Sequence, residues 1–292
     1  MHRRSLWGYL LVLPALAILL LLVFYPIART FVFSLYHFVL SEPDTISFIG
    51  FENYQRAFNN PELYSAAINT FTILALCLVF TLSSSICLAL LLQRKNWFSP
   101  FLLGIAIIPW ALPPLANGII WKFIFHPGYG LLNKLLIQAG ISDLPIPWTQ
   151  DRFLVLTISA LVISWRITPF CALILLANLQ AIPKSLYEAA SLDGCGLLRR
   201  FRHIVLPLLL PSFAIVLIQI LMASVNAFDE IVSLAGYRFD SLTLVLYDYL
   251  QTFSFLDFGY GSALAYIIMI LSGIIGYLYI KSSSVTGFEE RS

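Results

Sequence analysis

Seven polar or charged side chains stand in or beside long apolar runs: Asn117, Arg166, Asn178, Gln219, Asn226, Asp229 and Glu230. Polar groups within membrane-buried segments are costly, and they mark solute pathways or internal pairs. Arg166 is the sharpest of them, set mid-run in Ser164-Trp165-Arg166-Ile167-Thr168-Pro169. A central arginine costs about 3 kcal/mol or more in a bilayer unless it is paired or hydrated. It therefore either pairs with Asp229 or Glu230, or faces a water-filled cavity where it contacts a solute. In the second case an anionic solute is expected. Pro169 frees a carbonyl one turn back, which helps to build a polar cavity. Trp110, between Pro109 and Pro113-Pro114, offers an aromatic face of the kind that sugars stack on, though the same prolines can also make a plain kink. Catalytic chemistry is not indicated. The chain has no G-x-x-x-x-G-K-[ST] to cradle ATP phosphates, no paired histidine ligands and no G-x-S-x-G elbow. Cys77, Cys87 and Cys171 lie in apolar runs and Cys195 in a basic loop, with neither metal-ligand nor disulfide-framework spacing. No catalytic residue, metal site or bound cofactor is expected.

The elements that must position these residues follow from composition. Of 292 residues, 60% are hydrophobic and only 11% charged, against about 25% charged in soluble domains. A water-soluble globule could not hide that much apolar surface, and a net charge of +2 gives no reason to expect nucleic acid. Charge-free windows run between Arg4 and Arg29, Glu62 and Arg94, Lys95 and Lys122, Arg202 and Asp229, and Asp257 and Lys281. A sixth, Arg152 to Lys184, is interrupted only by Arg166. About 20 apolar residues cross a bilayer as a helix. The windows predict six transmembrane helices near 6–28, 66–92, 101–125, 153–177, 204–226 and 260–280, in one all-α transmembrane domain spanning 1–292. The first apolar run is too long for a signal-peptide core and is expected to be retained.

Lysine and arginine set the orientation. Ten fall on one side, six on the other, and Arg166 lies within a span. The basic side includes both ends and the short loops 93–100 and 178–203, which predicts cytoplasmic termini. The opposite loops (29–65, 126–152 and 227–259) are longer and hold 11 of the 15 acids. The tail 282–292 is polar and is expected to lie outside any element.

The cytoplasmic loop 181–203 is patterned. Pro183 suits a helix first turn, Ser185-Leu-Tyr-Glu188 has capping-box spacing, and Gly194 is placed to stop the helix. Leu197 to His203 is basic and amphipathic, suited to an anionic inner leaflet. A positive-inside loop accounts for the arginines. It does not account for a small-residue helix carrying Glu188 and Asp193, which suits docking into a groove on another protein.

Glu188-Ala-Ala-Ser-Leu-Asp-Gly194, followed by Ile204, Leu206 and Pro207, resembles the EAA motif of bacterial ABC-importer permeases. Three further segments resemble the carbohydrate-uptake branch of that family: Phe48-Ile-Gly-Phe-Glu-Asn-Tyr54, Trp121 to Asn133 (WKFIFHPGYGLLN), and Gly259-Tyr-Gly-Ser-Ala-Leu264. Gly236-Tyr237-Arg238 departs from the family's usual G-G-P, which leaves the loop before the last span open. The resemblance covers about 45–290.

The resemblance implies a type I importer transmembrane domain in a bacterial or archaeal plasma membrane. This chain would pair with a second permease, a paralogue, above two ATPase subunits that carry ATP and Mg²⁺. An extracytoplasmic solute-binding protein would deliver a carbohydrate or related polyol, and alternating access would move it. Glu188, Ala189, Ala190, Asp193 and Gly194 would form the ATPase coupling contact. Trp110, Arg166, Asn226 and Asp229 would lie near the sugar path, which relatives build from spans three to five. Two alternatives stand beside this reading. One is the same machinery carrying a non-sugar solute. The other is a secondary transporter without ATPases, which calls for a deep carboxylate or an internal repeat; none is seen in the six windows.

Overall fold

A computed structural model describes residues 12–93, 97 and 99–288. The expected start of the first helix at residue 6 lies outside them, as do the bases Arg3, Arg4, Arg94, Lys95 and Arg291. Helix α1 is Val12–Ser34. A two-stranded antiparallel ribbon, β1 (Tyr36–His37) with β2 (Ser47–Phe48), precedes α2 (Glu52–Phe58). Then come α3 (Pro61–Gln93), α4 (Ser99–Ala111), α5 (Pro114–Ile124), α6 (Leu131–Gln138) and α7 (Arg152–Ala181). The chain continues through α8 (Lys184–Leu192), α9 (Leu197–Val225), α10 (Asp229–Ala235), α11 (Leu244–Tyr249) and α12 (Phe258–Phe288).

Helices α1, α3, α7, α9 and α12 are each long and apolar enough to cross a bilayer. The expected continuous helix over 101–125 is not formed. Its two halves, α4 and α5, meet at 99°. The break falls at two prolines: Pro113 and Pro114 lack N–H groups, and Pro113 takes an extended ψ of 141°, which ends one helix and caps the next. Two other expectations are corrected. The segment Leu197 to His203 is not separate from the fifth span; α9 runs through both, with a π-type turn at Phe201–Val205 just before Pro207. There the Leu206 N–H reaches back to the Phe201 carbonyl. The tail also differs, since α12 continues to Phe288.

The described chain falls into two compact units, divided at Tyr64/Ser65, Val245/Leu246 and Leu271/Ser272. In the smaller, Asn53 organises the backbone. Its Nδ2 donates to the Ser34 and Tyr36 carbonyls, each at 2.9 Å, and the neighbouring Tyr54 hydroxyl meets Ser34 Oγ at 2.8 Å. Arg56 pairs with Asp257 at 2.6 Å and lies over the Tyr260 ring. A Cβ on Gly259 would stand 2.2 Å from the Tyr36 carbonyl oxygen, so only glycine fits. Two segments of the suspected motifs, around Asn53 and Gly259, are thus scaffolding for one another. Asp248 is half-buried. Loss of hydration pushes its carboxyl up to about 7, against a hydrogen bond from the Thr252 hydroxyl that pulls it down.

In the larger unit α7 is central. Buried residues make up 61% of its apolar window, against 28% for α3 and for α9. Phe125, Ile158, Val162 and Leu234 form a buried cluster, with Trp121, Leu132 and Trp148 packed around it. Asn133 closes the loop after α6: its Nδ2 donates to the Pro127 and Ile146 carbonyls, and its Oδ1 accepts from Ile146 N–H and Trp148 Nε1. Arg238, the departure from G-G-P, donates to the Thr149 and Gln150 carbonyls and pairs with Asp240. That hydrogen-bonded guanidinium holds the Asp240 carboxyl below its usual range.

Candidate functional site

After α9 ends at Val225, the short helix α10 packs beside α5 and α7. Gly118 makes this possible. A Cβ there would sit 1.8 Å from Ser233 Oγ and 2.8 Å from the Glu230 carbonyl oxygen. With glycine the backbones of α5 and α10 approach closely, and α10 carries Glu230 inward until its side chain is only 4% exposed. Arg166 on α7 meets it, with Nε and Nη2 each 2.7 Å from Glu230 Oε1. Of the two fates open to Arg166, internal pairing is the one realised. An anionic solute therefore loses its motive, because the cation is already neutralised. The windows held no deep acid because they stopped at Asp229; the fold nevertheless buries Glu230.

On α5 and α7 lie buried polar atoms without a protein partner among the described residues, including Asn117 Oδ1, Ser159 Oγ, Ser164 Oγ and Trp121 Nε1. Asn117 Nδ2 donates to the Val162 carbonyl. Phe170 is four residues after Arg166, hence on the same side of α7. Trp110 stacks on Phe170 at 5.6 Å with 13° between the rings, and stays 47% exposed. Asn226 is exposed and spends its amide on the Met222 carbonyl; Asp229 is exposed at the start of α10. No hydrogen bond or ring contact ties Trp110 or Asn226 to Arg166 among the described residues. The site residues missed by sequence are Phe170 and Gly118. Only the four-residue spacing to Arg166 could have singled out Phe170. A cavity of about 660 Å³ opens between α3, α4 and α7, with Ser83, Ser84, Ser164 and Thr168 hydroxyls on its wall beside Trp165 and Pro169.

The loop 181–203 builds a second site. Helix α8 starts at Lys184, so Pro183 is its N-cap, one residue before the expected first-turn place; Ser185 is inside the helix and the capping box is not formed. Its end is as expected. Gly194 has φ of +67°, its N–H bonds the Ser191 carbonyl, and Cys195 N–H bonds that of Ala190. Glu188, Ala189, Asp193 and Gly194 are exposed, and Leu192 is 90% exposed, whereas Ala190 is buried.

The sequence profile of the binding-protein-dependent transport system inner membrane components matches residues 83–282. The chain belongs to this family. The permease is 37% identical to a sulfoquinovosyl glycerol transport permease of Agrobacterium fabrum, over 94% of this chain and 90% of the other. It is 33% identical to a trehalose/maltose transport permease of Thermococcus litoralis, over 96% and 95%. It is 32% identical to an sn-glycerol-3-phosphate transport permease of Pectobacterium atrosepticum, over 95% and 94%. Its fold matches a chain of a bacterial ABC transporter that imports the acidic polysaccharide alginate, with a TM-score of 0.82, 19% identity and coverage of 97% and 96%. The permease is a multi-pass inner-membrane transport subunit, not an enzyme.

Proposed function

We propose that the permease forms half of the translocation path of an ATP-driven importer for a carbohydrate or related polyol. Six crossings, counting α4 and α5 as one, would leave both termini cytoplasmic. A paralogous permease supplies the other half of the path. Two ATPase subunits hold ATP and Mg²⁺, this chain binding no cofactor itself, and a solute-binding protein delivers the cargo outside. The relatives' names carry this reading to sugars and glycerol derivatives. The Arg166–Glu230 pair favours a neutral solute, since it occupies the cation that an anionic solute would meet. On this reading the stacked Trp110 and Phe170, with Arg166, Asn226 and Asp229, line the path, and the ion pair orders it.

The observation that supports coupling to ATPases is α8. It is short, closed at its end, and presents Glu188, Ala189, Leu192 and Asp193 to the outside of the chain. Such a helix fits a cleft on a partner and would pass on movements of that partner. Gentle purification of the tagged chain from its native membrane, followed by mass spectrometry, tests the reading. Recovery of an ATPase, a second permease and a binding protein is expected. The sugars that raise the melting temperature of that binding protein then identify the cargo. A chain that comes out alone, and moves solute in liposomes without ATP, would refute the proposal.

A further inference from the structure

A groove of about 520 Å³ lies between the last turn of α3, helix α8 and the first turns of α9. Leu90, Leu198 and Phe201 line its apolar part; Gln93, Tyr187 and Arg200 supply its polar end. Both α3 and α9 are long apolar helices, so the ends that meet here lie where a bilayer gives way to water. Trp97, four residues past the end of α3, is 91% exposed, as suits a side chain resting at headgroup level. This is the basic side of the chain, and Arg199 and Arg202 flank Arg200.

Two features of the groove are unfulfilled among the described residues. Arg200 donates through Nη2 to Ser191 Oγ at 2.7 Å, but its Nε is buried and has no partner among them. Leu197 and Leu198 are 79% and 81% exposed beside it. A buried guanidinium N–H asks for an anionic acceptor, and an apolar channel leading away from it asks for hydrocarbon. We propose that an anionic phospholipid of the inner leaflet occupies this groove. Its phosphate accepts from Arg200 Nε, with the Tyr187 hydroxyl, which accepts from the Gln93 amide, as a neighbouring donor, and an acyl chain lies along Leu90, Leu198 and Phe201. Tyr187 and Ser191 belong to α8, so the lipid buttresses the helix that presents Glu188. The proposal rests only on membership of the membrane and not on the identity of the transported solute.

The test equilibrates the transporter complex in vesicles of equal phosphatidylcholine and phosphatidylglycerol, extracts it gently, and weighs retained lipid by native mass spectrometry. Wild type is expected to hold phosphatidylglycerol in preference to phosphatidylcholine. Arg200→Gln is expected to lower that retention about fivefold, the effect of one interfacial arginine. Leu90→Trp, which fills the apolar part and keeps every charge, should displace the lipid as well. Equal retention by Arg200→Gln, or no preference in wild type, overturns the site. Should Arg200→Gln not assemble, Arg200→Lys takes its place: it keeps the charge and lacks the Nε–H, and undiminished retention by it overturns the assignment. A protein occupant is tested separately. If the ATPase subunit shields Leu198→Cys from a water-soluble thiol reagent in lipid-free detergent, the groove is a protein contact and the proposal falls.

Discussion

Arg166 and Glu230 are 64 residues apart in sequence and 2.7 Å apart in space, joining α7 to α10. Glu230→Gln leaves the arginine without its counter-charge, and breaking such a buried pair costs about 3–5 kcal/mol. Thermal unfolding of the detergent-solubilised permease should show a clear loss. The double change Arg166→Met with Glu230→Leu removes both charges and should recover most of it. A single variant that melts like wild type would show that the pair does not hold α10.

Gly118→Ala attacks the same junction from α5. The added methyl meets Ser233 Oγ and the Glu230 backbone. Trimming Ser233 to alanine removes only the first contact, so Ser233→Ala should not rescue Gly118→Ala. Overpacking of this kind costs about 1–3 kcal/mol. Rescue to wild-type stability would mean that the backbones part easily.

Glu188→Lys reverses a charge on the exposed face of α8. The complex should still assemble, with ATP hydrolysis continuing while solute uptake falls. Uptake and hydrolysis measured on the same proteoliposomes separate the two, and a full uptake rate would remove Glu188 from the coupling contact.

Asn133→Leu deletes four hydrogen bonds and leaves the Ile146 N–H and the Trp148 indole N–H unserved. A loss of about 2–3 kcal/mol is expected, since unmade buried hydrogen bonds carry the desolvation cost of their groups. Limited proteolysis between Pro127 and Asp151 should accelerate. An unaltered cleavage pattern would show that the loop closes without the asparagine.

Asp248 predicts a pH dependence. Its folded carboxyl titrates at about 7, above the ordinary value of about 3.9 in an unfolded chain. The folded state therefore holds the proton more tightly, and this contribution is full below about pH 4 and is lost as the pH rises through about 7. Melting temperatures taken from about pH 5 to about pH 8, on either side of the folded value of about 7, should fall for wild type. In Asp248→Asn the fall should be smaller. Parallel curves for the two proteins would remove Asp248 as the source.

Much of this was legible from one dimension. The apolar windows located the long helices to within several residues, because bilayer thickness sets a length that composition reveals. Gly194 was legible because a helix stop needs a residue at ease with positive φ. The break between α4 and α5 was only half legible: the prolines are visible, but their effect as a kink within one helix or a 99° turn depends on what α5 packs against. That partner, α10, lay beyond the fifth apolar window and looked like loop. The choice between Asp229 and Glu230 for Arg166 was likewise a matter of helix phase, which a seven-residue helix sets only after it docks. The segments around Asn53 and Asn133 were visible as motifs, yet their work is to satisfy carbonyls distant in sequence, which no local pattern shows.

The right-angled break after α4 also bears on how the chain enters its membrane. Helix α5 has 11 residues, about 16 Å of rise, roughly half of a bilayer's hydrocarbon thickness. It cannot settle there by its own length. The surface that receives Gly118 is α10, which is synthesised only after α6, α7, α8 and α9. Insertion therefore cannot proceed strictly from first helix to last. Residues 114–124 must wait, sheltered at the translocation machinery or at the membrane surface, until the chain some hundred residues later returns to receive them.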